Sequence, residues 1–451
     1  MKNSKLILVS LILLITWSCS VDEYSQDGEI NPENKSLTKS YTNDSLEPTI
    51  KPNQIVIQFK KEGLGVEEKI DIRNKLEKKY HFIIDHIQTC DCDNDSIELW
   101  TIIISNPSFL GIEDLVKNLS NTDDDDEDVE GDYQFWFSIN SEGLDGASIS
   151  TIEDKVLDYN LDYAVNIAVL DTGIDYDYFP EKFLYNSKNT KGCTDEISGW
   201  DFVNHDNDPR DDHGHGTITS KIVTDVLDNA SIPYQILPVK AFDDNGISSY
   251  FRVGCALKYI VKKQKKFIIN ASFGFYKISK QQILENIIDS ASDRILVISS
   301  AGNKGINTDL PGNEHFPSSY EAHNLLTVGG HIGDFTTFPS YGMQHVNGFN
   351  IASDSNHGGT SIDIAAPFTH HIILKSSHTI NIIARGTSFS AAYTTGRAAF
   401  VYYNNHVTPA QLKQEILDTG FNSQSFNGMI RNNKILVKGF FNNPTAQTPR
   451  Q

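Results

Sequence analysis

Three side chains in this 451-residue sequence have the types that acyl-transfer chemistry needs. Ser388 follows a Gly386-Thr387 turn and stands at the mouth of a stretch, Ser-Phe-Ser-Ala-Ala, that reads as the start of a helix. A serine on such a turn can hold its hydroxyl clear of the helix body, where a nucleophile must be. Gly-Thr-Ser alone is weak evidence, because turns and helix starts favour those residues anyway. Upstream stand an Asp at the end of an apolar strand (Asp171 in IAVLDTG) and a His opening a helix (His215 in GHGT, with His213 two residues before it). A serine hydroxyl is a poor nucleophile at its own pKa and needs a base within hydrogen-bond reach. Histidine is the side chain that titrates near neutrality unperturbed, so it can take and return that proton. A carboxylate at the end of a buried strand would hold the imidazole tautomer and stabilise the imidazolium.

Such a constellation needs a rigid frame, and residues 163–440 alternate strand and helix in a way that supplies one. Apolar runs at Ile167–Leu170, Tyr234–Val239, Phe267–Ile269, Ile295–Ser299 and Leu325–Val328 predict buried strands of a mostly parallel central sheet. The amphipathic stretches Gly254–Lys262, Ser279–Ser292 and Thr408–Thr419 predict helices between and after them, the last capped by Thr408-Pro409 and ended by Gly420. The fold class expected is α/β, with helices on both faces of that sheet. Residues 51–140 predict a separate small α+β domain in the order β-α-β-β-α-β, the split ferredoxin-like pattern. The Gly- and Ser-containing stretch 141–162 reads as a linker and cleavage segment, and 441–451 as a disordered tail.

The formal net charge is −21, of which −16 falls in residues 1–150 and −5 in the remainder. The acidity therefore belongs to the N-terminal third, where it argues against nucleic-acid binding. The later part is near neutral and predicts no strongly charged substrate.

Residues 163–440 resemble the catalytic domain of the subtilisin family (subtilases) through five motifs in order: IAVLDTGID, DDHGHGT, NASFG, SSAGN and GTSFSAA. HFPSSYEAHNLLTVGG and DIAAP fit the same pattern. The resemblance implies a serine endopeptidase acting on polypeptides, with Asp171, His215 and Ser388 as triad and Asn303 as the oxyanion's side-chain donor. It places the base immediately before Gly-Thr, hence His215, and leaves His213 in the preceding loop as a surface residue. It implies that substrate backbone pairs with Ser272, Phe273 and Gly274, that Ala301 and Gly302 wall the pocket for the residue before the scissile bond, and that His315 floors it. A polar or acidic side chain would then be accepted. The N-terminal domain fits the family's propeptide, an intramolecular inhibitor removed on maturation. Two positions depart from the family pattern: Lys221 in the helix after His215, where the residue must find room to snorkel, and Ala392 where Pro is usual.

Residues 1–19 read as a lipoprotein-type export signal: Lys2 and Lys5, an apolar run Leu6–Ile15, then Thr-Trp-Ser before Cys19, the expected lipidated residue. Ordinary cleavage and secretion is the alternative. Residues 20–50 are a flexible linker, so the membrane enters only through a lipid anchor at the cell envelope or surface. Of the remaining cysteines, Cys90 and Cys92 predict a turn or strand edge carrying thiols or one disulfide rather than a metal site. No organic cofactor is implied. The loop 204–212 resembles a calcium-binding loop of some relatives, with Asp206 and Asp208 as first candidate ligands and a solvated acidic loop as the alternative. The rival readings are a catalytically weak or inactive surface binding protein on the same fold, a zinc site at His213 and His215, and an aspartic protease from Asp171-Thr172-Gly173.

Overall fold

The computed structural model describes residues 48–92, 95–104, 111–120, 128–139, 143–149, 163–187, 192–337, 344–376 and 379–438, all within one compact unit, Ser36–Gln451. The export signal with Cys19, nearly all of the linker 20–50, most of 141–162 and the tail 441–451 lie outside the described residues.

The N-terminal part runs β1 (Thr49–Phe59), α1 (Val66–Tyr80), β2 (Phe82–Thr89), β3 (Ile97–Ile104), α2 (Ile112–Leu119) and β4 (Val129–Ser138). Its sheet order β2-β3-β1-β4, antiparallel throughout, is the ferredoxin-like arrangement. Strand periodicity divides its side chains between two cores. Ile55, Ile57, Trp100 and Ile102 pack under α1 and α2 with Leu76 and Leu115. Val56, Leu99, Phe135 and Phe137 face the other way, into the core of the C-terminal part.

After β5 (Gly143–Ile149), the C-terminal part contains β6 (Val165–Asp171), β7 (Trp200–Asp201), α3 (His215–Ala230), β8 (Tyr234–Lys240), β9 (Ile247–Ser249), α4 (Tyr250–Lys262), β10 (Phe267–Ala271), α5 (Gln282–Asp289) and β11 (Ile295–Ser300). It continues with β12 (Leu325–Thr337), β13 (Gln344–Ile351), β14 (Ile364–Pro367), the pair β15 (Thr369–Lys375) and β16 (Thr379–Arg385), α6 (Thr387–Asn405), α7 (Pro409–Thr419), β17 (Phe421–Asn422) and β18 (Lys434–Ile435). The central sheet runs β7-β8-β6-β10-β11-β12-β14 with every neighbour parallel, and antiparallel β13 and β17 lie at its fringe.

Both faces of this sheet are covered, as its unbroken apolar strands require. Ile167, Val169, Ile236 and Ile298 join α3, α6 and α7 in one core, while Ala168, Leu170, Leu237 and Val297 join α4 and α5 in the other. Helices α3 and α6 approach closely where Gly396 stands: a methyl group there would come within 2.7 Å of the Val226 Cβ. Lys221 reaches the edge of α3 and pairs with Asp225 one turn on, so its charge is met without entering the core. Ala392 is fully buried within α6, where it keeps the backbone N–H that a proline would lack.

The two parts share a sheet and a core. Strand β4 adds antiparallel to β9, with Trp136, Phe137 and Ser138 opposite Ser249, Ser248 and Ile247. Buried Phe135 lies 5.2 Å from the Tyr250 ring and 4.8 Å from the Phe275 ring, and Phe137 lies 5.7 Å from the Phe242 ring. Burial of each such phenylalanine contributes about 1.5–3 kcal/mol. Alternate residues of β4 cap two helices. Asp132 accepts from the Ile283 and Gln282 N–H groups that open α5 (2.6 and 3.1 Å) and from the Tyr250 hydroxyl (2.7 Å). Gln134 Oε1 accepts from Phe251 N at the start of α4 (3.1 Å).

The cysteines depart from expectation. Cys90 bonds to Cys255 on α4 and Cys92 to Cys193, so the β2–β3 turn is bridged twice to the C-terminal part. Sequence could not reveal this, because the partners lie 165 and 101 residues away.

Candidate active site

Asp171 ends β6, the strand from which the chain passes first to β7 and β8 on one side and later to β10 on the other. The carboxyl end of a parallel sheet at such a reversal is where open α/β folds form their crevice. His215 opens α3 beside it, its Nδ1 2.7 and 2.9 Å from the two Asp171 oxygens. A carboxylate only accepts, so Nδ1 carries the proton and Nε2 is left as the basic nitrogen, the tautomer a general base requires. Asp171 Oδ1 also accepts from Thr172 N at 2.7 Å, which fixes the carboxylate against rotation.

The loop ahead of His215 is organised by Asp211, whose structural role sequence reasoning missed because it was read as part of an acidic loop. Buried Asp211 accepts from Thr172 Oγ1 (2.8 Å), His213 N (3.0 Å), Gly214 N (2.7 Å), Thr217 N (2.8 Å) and Thr217 Oγ1 (2.6 Å). Burial alone would raise its pKa, but the hydrogen bonds from Gly214, Thr217 and Thr172 outweigh it and hold the carboxyl below its ordinary value. Its position four residues before a helix-opening His is the signal that could have marked it.

Ser388 is the second residue of α6 and is buried. Its Oγ donates to the Ser272 carbonyl at 3.1 Å, and Ser272 Oγ donates to the Ser388 carbonyl at 2.9 Å. The stretch Ser272-Phe273-Gly274 therefore leaves β10 directly alongside the serine. The following residue, Phe389, has its ring 5.6 Å from that of His215. Asn303 comes in after β11, and its Oδ1 accepts from Thr387 N and Thr387 Oγ1, both at 2.9 Å. A backbone N–H can only donate, so the accepting end of the amide is on Thr387 and the donating end, Nδ2, is directed elsewhere. The elements thus bring Asp171, His215, Ser388, Asn303 and Ser272 into one site.

His213 is not the surface residue expected. It is 5% exposed, its ring centre is 6.3 Å from that of His215, and its Nδ1 accepts from His215 N at 3.4 Å. Packing of the loop around Asp211 draws it inward.

Gly274 and Gly302 border a space that His315 and Tyr276 fill. A methyl group on Gly274 would come within 2.2 Å of the His315 ring, and one on Gly302 within 2.2 Å of the Tyr276 hydroxyl. Ala301, next to Gly302, is fully buried. The Ser318 hydroxyl donates to the His315 carbonyl (2.6 Å), so it accepts from His315 Nδ1 (2.8 Å), which leaves Nε2 an acceptor with no partner among the described residues. Burial, with the Lys304 charge adding to it, pushes the His315 pKa down to about 3. The ring is neutral at ordinary pH, and so offers no cation to an acidic side chain.

Asp206 Oδ1 accepts from Asp208 N at 3.0 Å and Asp206 N donates to the Asp201 carbonyl, a local turn. Among the described residues, no group of three or more His, Cys, Asp or Glu side chains could hold a metal ion, whether at this loop or at His213 and His215.

A sequence profile described as the subtilase family matches residues 162–439. The chain is 30% identical over 244 residues to a thermophilic serine proteinase of Bacillus sp. (strain AK1), covering 52% of this chain and 51% of that protein. It is 26% identical over 290 residues to subtilisin-like protease 1 of Plasmodium berghei (strain Anka), covering 57% and 46%. It is 25% identical over 316 residues to the cell wall-associated protease of Bacillus subtilis (strain 168), covering 67% and 30%. The chain thus spans about half or less of the length of these relatives. Among solved structures, fervidolysin from Fervidobacterium pennivorans, a keratinolytic enzyme related to subtilisin, aligns with a TM-score of 0.56 at 15% identity, covering 86% of this chain and 60% of that one. At that identity the likeness is one of fold.

Proposed function

Because this chain belongs to the subtilase family, we propose that it is a serine endopeptidase, exported and made as a self-inhibited precursor. The observation that carries this reading is the contact of His215 Nδ1 with Asp171 at 2.7 Å, on the same crevice as Ser388 and Asn303.

In the proposed mechanism Ser388 Oγ attacks the scissile carbonyl carbon while His215 Nε2 takes its proton. Asp171 stabilises the imidazolium that forms. Asn303 Nδ2 and the Ser388 backbone N–H stabilise the oxyanion, each such donor contributing about 3–4 kcal/mol to the transition state. His215 then hands the proton to the leaving amine, and water, activated by the same nitrogen, hydrolyses the acyl-enzyme. No cofactor enters these steps.

Substrate backbone pairs in extended form with Ser272-Phe273-Gly274. The filled space between Gly274 and Gly302 supports a small side chain before the scissile bond, and the neutral His315 ring argues against the acidic one considered from sequence. Two features support the inhibited-precursor reading. Strand β4 of the N-terminal part lies on β9 with Ile139 N bonded to the Gly246 carbonyl at 2.9 Å, and Gly246 borders His213. The backbone of β5 pairs with β16, with Gly143 opposite Arg385, three residues before Ser388. Two disulfides favour an oxidising compartment, as export would provide. A lipid anchor at Cys19 and a structural calcium at Asp206 and Asp208 complete the proposal.

A fluorophosphonate reagent, which phosphonylates an activated serine, tests the reading. Labelling of the wild type and none of Ser388→Ala is the expected result. Equal, absent labelling of both, before and after removal of the N-terminal part, would leave a binding protein on a protease fold.

A further inference from the structure

The Cys-x-Cys motif that sequence left as a turn joins the N-terminal part to the C-terminal part at three consecutive residues. Cys90 bonds to Cys255 and Cys92 to Cys193. Between them, Asp91 Oδ2 accepts from Trp200 Nε1 at 3.1 Å and lies 2.9 Å from His205 Nδ1. Both bridges connect the chain before the 141–162 stretch to the chain after it. A cut in that stretch therefore cannot separate the parts.

We propose that the Cys90-Asp91-Cys92 clasp keeps the N-terminal part covalently attached after the intervening chain is cut, and that a dithiol reductant releases it and relieves inhibition. The retention half stands on connectivity alone; the relief half rests on the self-inhibited-protease reading above. A tethered inhibitor faces its site at an effective concentration on the order of millimolar, whatever the protein concentration. Cutting without reduction leaves that figure high, so dissociation by dilution, the usual consequence of losing a peptide link, does not follow here.

The two bridges differ in access. Cys92 and Cys193 are half-buried, whereas Cys90 and Cys255 are 8% and 2% exposed. A dithiol reaches the outer bridge first: its thiolate attacks one sulfur, the other cysteine leaves as a thiolate, and the second thiol resolves the mixed disulfide. Each bridge so opened gains two electrons and two protons, and the reductant closes to its own disulfide. The inner bridge becomes accessible when the clasp loosens.

The test separates the two halves. In the full chain carrying Ser388→Ala, a recognition sequence for a specific protease is placed within 151–160 and cut, and free thiols are alkylated. One species under denaturing, non-reducing conditions and two fragments after reduction are expected; two fragments without reductant would overturn retention, and this arm needs no activity. The same nicked chain with Ser388 intact is then titrated with dithiothreitol while peptide hydrolysis and free thiols are followed. Release into micromolar solution lowers the inhibitor's concentration about a thousandfold from the tethered value, so hydrolysis should rise at least several-fold as the four thiols appear. Thiols appearing with a flat rate, in a protein that the fluorophosphonate labels, would overturn the relief half. A protein that never labels counts instead against the protease reading. Because Cys→Ser variants can fail to fold, Cys92→Ser with Cys193→Ser serves only as a second measure: the inner bridge alone should still hold the fragments together.

Discussion

Asn303 and Thr387 are joined twice: the asparagine Oδ1 accepts from both the backbone N–H and the hydroxyl of the threonine, each at 2.9 Å. Thr387 is the residue before Ser388, so the amide is tied to the segment that carries the proposed nucleophile. Asn303→Ala is expected to lower kcat roughly 100- to 1,000-fold with KM little changed, because the donor acts on charge that develops only in the transition state. Thr387→Val removes one of the two bonds and should give a smaller loss in kcat. Steady-state kinetics on a peptide substrate check both, and a fall confined to KM would contradict the role.

His315 and Tyr276 leave little depth between Gly274 and Gly302. His315→Gly should move preference from small toward large apolar side chains before the scissile bond, by roughly 10- to 200-fold in the kcat/KM ratio. A peptide series varied at that one position measures it. With the imidazole pKa held at about 3, the wild-type preference should also be flat from mildly acidic to alkaline pH. An unchanged ratio in the variant would mean that another element limits the pocket.

Burial pushes the Asp132 pKa up to about 6 from 3.8, although hydrogen bonds from Tyr250, Ile283 and Gln282 act against it. Neighbouring Glu130 is raised to about 7, mainly by burial and then by Asp132 itself. A carboxyl whose pKa is higher in the packed state binds its proton more tightly there. The stabilisation is therefore present at low pH and declines as pH rises from 3.8 through about 6. Thermal melts of wild type and Asp132→Asn should diverge in slope over that window, the wild type losing more stability as pH increases. Parallel curves would count against a titrating Asp132.

Asp211 presents the opposite sign. Its lowered carboxyl pKa contributes stability above the free value of 3.8, lost only as pH falls through the lower packed value. Asp211→Asn replaces an acceptor with a donor amid five donors and should cost about 2–4 kcal/mol. It should also reduce kcat through the misplaced His215. Denaturant melts together with kinetics check this, and a variant of full stability would show that the loop holds its shape without the carboxylate.

The candidate site was legible in the sequence because its residue types stand at positions whose neighbours are also constrained. Asp171 ends an apolar run, His215 opens a helix, and Ser388 follows a Gly-Thr turn, and each signal is local. The parallel sheet was legible for a similar reason, since strands such as Ile167–Leu170 are apolar at every position. What escaped depends on contacts distant in sequence. Cys90 and Cys92 carry no mark of Cys255 and Cys193. His213 looks like a loop residue until Asp211 folds that loop inward. Strand β9 is three residues long and is defined by the β4 edge it meets rather than by its own pattern.

The intact mass of the chain made without residues 1–19, measured beside Ser388→Ala and both before and after reduction, bears most directly on the self-processing protease. Before reduction the wild type should be heavier by one water than the uncut chain with both bridges formed. After reduction it should fall into two pieces with their junction in the stretch 141–162, while Ser388→Ala stays whole throughout. Both chains whole, or both cut at the same bond, would contradict self-cleavage by Ser388.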